Sequence, residues 1–224
     1  MNNDQTISID LHNHSIYSYD GKLELEDFLG NSNVDIFAIT DHNNFKFHEI
    51  YSQGETLYKI KNKWFITGEE ITTSDAGEII GLFIKKEVKS SQTLKETLDQ
   101  IKEQEGIAYL PHPYDLYRKG KPKLNIVLQY IDLIDIIEVF NAKYFTNYEI
   151  YRSYQLAKKH NKIKGYGSDA HKREDLAKGF VTLEFDNSDL NKDLIINLLA
   201  DENNVIKTVQ IKRNIFKTIL KKLR

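Results

Sequence analysis

A chain of 224 residues, 40% hydrophobic and 29% charged, can bury a sizeable core as one large domain, and its net charge of −2 supplies no global attraction to nucleic acid or anionic membrane. It has no cysteine, which excludes disulfides and thiolate metal sites, so any metal must be held by His, Asp and Glu. The polar N-terminus is unlike a secretory signal and no apolar run approaches the ~18 residues of a membrane span, so a cytoplasmic protein is expected.

In chain order, apolar runs alternate with helical patterns. Residues 7–11 read as a strand and 23–29 as a short helix. The run VDIFAIT (34–40) is a second strand, and its lack of polar alternation predicts burial on both faces. A helical stretch follows, then KWFITGEEI (63–71) and GEIIGLFI (77–84) as two more strands. Ser91 is the expected N-cap of a helix with Leu94, Leu98 and Ile101 on one face, stopped at Gly106. Beyond it come the strand GIAYLPHP (106–113), a helix near 125–130 and the strand IDIIEVFN (134–141). A helix over 148–160 precedes the strand IKGYGSDAH (163–171), and the strand GFVTLEF (179–185) precedes a helix over 190–200.

This alternation predicts a mainly parallel α/β sheet, closed as a barrel or open and doubly wound. No linker, repeat or low-complexity tract divides the chain, so 1–224 reads as one domain. Residues 207–224 hold seven Lys or Arg and no acidic residue, leaving 24 basic against 33 acidic elsewhere. Ile211, Ile215, Ile219 and Leu223 recur there at every fourth position, which predicts a basic amphipathic C-terminal helix. Such a helix docks on the domain by its apolar stripe or presents a basic surface to membrane or nucleic acid.

The polar residues at the ends of the apolar strands carry the functional signal. His12 and His14 end the first strand and Asp41 and His42 the second; Glu69 and Glu70 end the third. His112 follows another, Glu138 and Asn141 close the next, and Asp169 and His171 end a further one. In a parallel barrel such ends converge on one face, where active sites sit. His12 and His14 share a strand face with Cα atoms about 6.5–7 Å apart, close enough for both imidazoles to bind one ion. A lone H-x-H is weak evidence, but these strand ends supplying His or carboxylate together point to a polynuclear metal site, because a buried cluster without metal leaves charges uncompensated. His48 and His160 lie in helical stretches and read as ordinary surface residues.

In order, DLHNHS…D, ITDHN, TGEEI, LPHP, IEVFN and GSDAH closely resemble the motifs of the PHP (polymerase and histidinol phosphatase) superfamily, over Asp10 to His171. The resemblance implies a distorted, TIM-like (β/α)7 barrel holding two or three divalent metals, Mn, Zn or Fe, at its C-terminal face. It implies that His12 and His14 hold a first metal with Asp169, that Glu70 bridges it to a second metal held by His112, and that Asp20, His42 and His171 hold a third. Asp10 and Asp41 look like partners that orient imidazoles. One departure is Glu78, which stands where many members have a further His; it ligates through oxygen, favouring Mn or Fe, or it faces solvent. Glu138 and Asn141 match an E-x-x-N pattern of hydrogen-bonding or ligating residues.

Family members are mostly phosphoesterases, so the resemblance implies a metal-dependent phosphatase that uses a metal-bridging hydroxide on a small phosphorylated substrate such as a nucleotide, sugar phosphate or histidinol phosphate. Glu70, Asp169 and His171 then carry the catalysis, with His171 or a metal-bound water assisting the leaving oxygen. Arg118 and Arg173, ranked above Lys143, are the candidates to grip the phosphate, because Arg binds it bidentately. Two alternatives remain. One is an exonuclease or oligonucleotide phosphodiesterase, with Tyr17, Tyr19, Tyr114, Tyr117, Phe140 or Tyr144 stacking a base. The other is a non-catalytic, metal-stabilised assembly module. A nucleic-acid partner is admitted but not favoured, and nothing in the sequence sets an oligomeric state.

Overall fold

The computed structural model describes residues 5–115, 118, 120–185 and 189–211. Strands β1 (Gln5–Asp10), β2 (Ile36–Ile39), β3 (Leu57–Ile60), β4 (Lys63–Thr72) and β5 (Glu78–Leu82) are followed by β6 (Ile107–Leu110), β7 (Ile136–Asn141), β8 (Ile163–Gly167), β9 (Gly179–Phe185) and β10 (Val205–Gln210). Between them lie helices α1 (Leu25–Leu29), α2 (Lys46–Tyr51), α3 (Leu94–Glu103), α4 (Leu124–Val127), α5 (Asn147–Lys159) and α6 (Lys192–Ala200). The strands form one curled sheet in the order β10-β9-β1-β2-β4-β5-β6-β7-β8, with β3 attached to β4.

Seven strands, β1, β2 and β4 to β8, are the staves of a distorted TIM-like barrel. Six run in one direction and β5 runs against its neighbours β4 and β6. The cause is local. Residues 73–77 alone join β4 to β5, and a parallel crossover needs a dozen or more. Gly77 makes that turn at φ +89°, and a Cβ there would meet Lys121 O at 2.7 Å. Because β5 is reversed, its first residue, Glu78, lies at the rim where the parallel strands end; Thr72 of β4 pairs with it. The expected mainly parallel sheet is therefore a mixed one, since β9, β10 and the edge strand β3 also pair antiparallel.

The two flanks of the sheet approach each other at the C-terminal rim. Leu11 N donates to Tyr166 O at 3.0 Å, Asp169 N to His12 O at 2.8 Å, and Asn13 bridges Ala170. That closure brings the segment after β1 alongside the segment after β8. The core has two parts. One fills the space around the sheet with Ile9, Leu82, Tyr109, Ile136 and Val181; the other packs α1 and α2 on β2 and β4 through Phe28, Phe37, Phe47 and Phe65. Phe28 meets the other three rings edge-on, at centroid distances of 5.2 to 6.2 Å.

Several expectations are corrected. α3 is capped by Thr93 in a capping box with Glu96, while Ser91 lies two residues earlier at φ +59°. His48 is buried in α2 against Phe45 and Phe47, because this short helix lies flat on the sheet. His160 is half-buried at the C-cap of α5. Residues 207–210 complete β10 instead of starting a helix, and the rest of the expected C-terminal helix, from 212 on, lies outside the described residues. Among the described residues no helix is long and apolar enough to cross a membrane.

Candidate metal centre

Each candidate ligand is placed by a strand end. His12 and His14 flank Asn13, whose bridge to Ala170 continues β1 beyond its last ladder pair and turns both imidazoles to the same side. His42 follows β2 and bridges Glu70 of β4; His112 follows β6; Asp169 and His171 follow β8. Asp20 comes from the loop after His14, braced by Ser18 N donating to Ser15 O and Gly21 N to Ser18 O. His12, His14, Glu70, His112 and Asp169 are all 0% exposed, so their charges and lone pairs must be satisfied from within.

Four donor atoms lie around His12 and His14. His12 Nε2 lies 3.1 Å from His14 Nε2, 3.1 Å from Glu70 Oε2 and 3.8 Å from Asp169 Oδ1. His14 Nε2 lies 3.3 Å from Glu70 Oε2 and 3.4 Å from Asp169 Oδ1. Tetrahedral ligands held ~2.1 Å from a metal stand about 3.4 Å apart, close to the mean of about 3.3 Å for these five distances. On the other side of Glu70, its Oε1 is 2.8 Å from His112 Nε2, and Glu78 Oε2 is 3.7 Å from the same nitrogen. His42 Nδ1 stands 3.4 Å from Glu70 Oε2 and 3.9 Å from Glu78 Oε1. Asp20 Oδ2 lies 3.0 Å from His171 Nε2 and 3.8 Å from His42 Nε2. His14 joins Asp20, His42 and His171 in a third group whose ligand atoms lie within 4.8 Å of one another. All eight residues expected as ligands are thus brought together, and Glu78 is with them.

The donor set fits divalent cations. Asp169 Oδ1, Glu78 Oε2 and the Nδ1 atoms of His14 and His112 are buried without a hydrogen-bond partner. The acidity of the groups is shaped by the same crowding. Burial pushes Glu70 up, but His12 and His42 outweigh it and hold it well below the carboxylate range. Burial likewise opposes, and Arg118 and His12 outweigh it, in keeping Asp169 low. Burial lowers His14 to about 4, reinforced by His171, and lowers His112 with help from Arg118; both imidazoles keep free lone pairs. His12 is raised: burial works against this, but Glu70, Asp169 and Glu138 make the spot strongly attractive to positive charge. Burial and the neighbouring Glu70 push Glu78 up to about 8.

The residues that orient this cluster were misassigned from sequence. Asp10 accepts from the backbone and hydroxyl of Ser168, and Asp41 from those of Ser15; their carboxylates hold loop backbones and orient no imidazole. Glu138 does that work. Its Oε1 lies 3.1 Å from His12 Nδ1 and accepts from Tyr109 OH at 2.9 Å; its Oε2 accepts from His112 N at 2.6 Å and Asn141 Nδ2 at 3.0 Å. A carboxylate only accepts, so Glu138 keeps a proton on His12 Nδ1; the metal-free imidazole also holds one on Nε2 against Glu70, and loss of that second proton would leave the Nε2 lone pair aimed at the cluster for an ion. Gly167 permits this approach, since a Cβ there would fall 2.3 Å from Glu138 Oε1. His112 at φ +29° and Asp169 at φ +49° are held in the left-handed region, a cost of about 1–3 kcal/mol each, by their backbone bonds to Glu138 and His12. A Glu on a fully apolar strand, three residues before Asn141, was the sequence signal for this role.

Of the candidate phosphate-binding residues, Arg118 reaches the cluster: it pairs with Asp169, and its Nη1 lies 3.6 Å from Glu78 and 3.9 Å from Glu70. Arg173 does not. Its guanidinium pairs with Asp27 of α1 and its side chain is 76% exposed. Lys143 is held by Asp175 at 2.6 Å.

The barrel and the cluster define a class: an α/β barrel whose rim gathers His and carboxylate ligands. A family model described as PHP-associated matches residues 148–202, from α5 through α6. The uncharacterized protein MJ0417 of Methanocaldococcus jannaschii is 34% identical over 171 residues, 74% of this chain and 65% of that protein. The chain therefore spans about two thirds of that relative's length. A two-domain Bacteroides vulgatus protein containing a predicted PHP-like metal-dependent phosphoesterase superposes with TM-score 0.63 at 18% identity, over 90% of this chain and 64% of that one. Endonuclease Q, solved with a 27-mer duplex bearing an abasic lesion at its active site, superposes with TM-score 0.65 at 14% identity, over 86% of this chain and 56% of that one. The chain belongs to the PHP superfamily.

Proposed function

We propose that the chain hydrolyses a phosphomonoester at a di- or trinuclear centre, acting as a single domain. The observation that carries this reading is a set of four overlapping ligand groups: His12 with His14 and Glu70, His12 with His112 and Asp169, His42 with Glu70 and Glu78, and His14 with Asp20, His42 and His171. Each has its ligand atoms within 4.8 Å of one another. In this reading His12, His14, Glu70 and Asp169 hold the first ion, Glu70, His112 and Glu78 the second, and Asp20, His42 and His171 the third. The oxygen of Glu78 favours Mn or Fe over Zn. Bound ions of this kind acidify coordinated water and neutralise phosphoryl charge. The protein's own groups supply the rest. Arg118, beside Asp169 and Glu78, grips a phosphoryl oxygen. His171 is held above its usual range: burial opposes this, but its contact with Asp20 outweighs it. With the first two ions bound and its Nε2 free of a third, it is the group placed to give a proton to the leaving oxygen; with a third ion on Nε2 that proton comes from water.

A nuclease reading is the alternative, supported by the barrel shared with Endonuclease Q. One panel separates the two. Metal-stripped protein is reloaded with Mn, Zn or Fe and offered phosphomonoesters and short oligonucleotides. Metal-dependent release of phosphate from a monoester is expected. Cleavage of oligonucleotides alone moves the assignment to a nuclease, and no turnover of either overturns the enzyme reading.

A further inference from the structure

Of the six aromatic residues that the sequence offers for base stacking, the structure describes five and sorts them. Phe140 and Tyr144 are completely buried. Tyr17 packs against Phe47, centroids 6.4 Å apart, and belongs to the second core. The ring of Tyr114 is covered by the guanidinium of Arg152 at 4.7 Å, and Tyr117 lies outside the described residues. Tyr19 differs from all of them. It is 81% exposed, yet one face of its ring stacks on His42 at 5.0 Å and 28°.

That exposure is not the looseness of an unbraced loop. The backbone on both sides of Tyr19 is fastened to the cluster. Ser18 Oγ donates to Asp20 Oδ1 at 3.0 Å and accepts from His42 N at 3.3 Å, and Lys22 N donates to His171 O at 2.8 Å. Gly21 is obligatory there, since a Cβ would fall 1.9 Å from Ser15 O. A large ring on a braced backbone, with one face on His42 and the other free, loses little further entropy when a flat group lies on it. Stacking uses only the face of His42, so both of its ring nitrogens stay in plane for ligation.

We propose that Tyr19 is a specificity-determining platform, on which a planar heteroaromatic group stacks while the attached phosphate enters the metal centre; the substrate class is then nucleotides rather than aliphatic sugar phosphates. This inference rests on the phosphomonoesterase reading. Stacking of one base on an aromatic side chain changes affinity roughly 5- to 150-fold.

AMP and ribose 5-phosphate form a matched pair, identical except for the base. Calorimetric binding to Mn-loaded protein is measured together with KM and kcat, for the wild type, Tyr19→Ala and Tyr19→Phe. The wild type is expected to prefer AMP by at least 5-fold in Kd and KM. Tyr19→Ala should erase that preference through KM with little change in kcat, and Tyr19→Phe should keep it. Equal affinity of the wild type for both compounds, equal weakening of both by Tyr19→Ala, or no binding of either at millimolar concentration overturns the platform. A Tyr19-dependent preference in binding without hydrolysis of either compound leaves the platform standing and removes the phosphomonoesterase reading.

Discussion

Glu138→Gln changes one oxygen to an amide nitrogen and little else in shape, so its effect isolates the acceptor role. Four donors converge on this carboxylate, two at each oxygen: His12 Nδ1 and Tyr109 OH on one, His112 N and Asn141 Nδ2 on the other. Whichever way the amide turns, one pair of donors faces an NH2 group. If His12 faces it, the imidazole is driven toward the tautomer whose proton occupies Nε2, the atom aimed at His14 and Glu70. If His112 N faces it, the strained backbone that presents the His112 ring loses its anchor. Loss of an outer partner of this kind costs 10- to 100-fold in metal affinity, or about 1.4–2.7 kcal/mol. The assay is competition between metal-stripped protein and a fluorescent Mn or Zn chelator, with circular dichroism to show that the variant is folded. A folded Glu138→Gln protein that binds its tightest metal within 2-fold of wild type would refute the tautomer argument.

Two further predictions follow from the neighbourhood of the cluster. His48 is wholly buried, with Nδ1 3.0 Å from Tyr58 OH and Nε2 3.0 Å from Gly68 N and 2.9 Å from Ile39 O; burial outweighs the Ile39 contact and lowers its pKa from 6.5 to about 4. Between those values the unfolded chain binds the proton and the folded one does not, so stability falls as pH drops from 6.5 toward 4, by up to about 3 kcal/mol. Urea unfolding of metal-free His48→Gln should show a correspondingly shallower acid slope than wild type, and parallel slopes would contradict this. Arg118→Gln should lower the melting temperature of the metal-free protein by roughly 4–8 °C, since Asp169 and Glu78 lose a cation worth about 2 kcal/mol. The metal-loaded protein should lose less, and an equal loss in both forms would contradict a role for Arg118 in balancing the ligand carboxylates.

The candidate ligand cluster was legible because metal ligation demands particular residue types, and a barrel brings those types to the ends of apolar runs. No such demand marks the residues that steady the ligands. Asp10 and Asp41 precede histidines in sequence, which suggests imidazole contacts, but their oxygens are taken by the backbone and hydroxyl groups of Ser168 and Ser15. Glu138 is far from His12 in sequence and meets it only when β7 and β8 close against β1. The reversal of β5 was implicit in the short 73–77 turn, yet GEIIGLFI reads equally well as a parallel core strand. β3 escaped notice because its sequence, LYKI, is short and half-exposed, as a lysine-bearing edge strand is. His48 was misread because the periodicity of a six-residue helix is too short to show which face is buried. Arg173 follows the GSDAH segment closely enough to suggest the site, but the short helical turn at Arg173–Asp175 directs it to Asp27.

The central claim is that Glu70 ties several metal ions into one centre, with Oε2 facing His12, His14 and His42 and Oε1 facing His112. The direct measurement is the metal content per chain, by elemental analysis, of wild type and Glu70→Gln purified side by side without chelators. The account predicts two to three transition-metal ions per wild-type chain and a loss of at least one in the variant. Fewer than one ion per wild-type chain, or an undiminished content in Glu70→Gln, would contradict it.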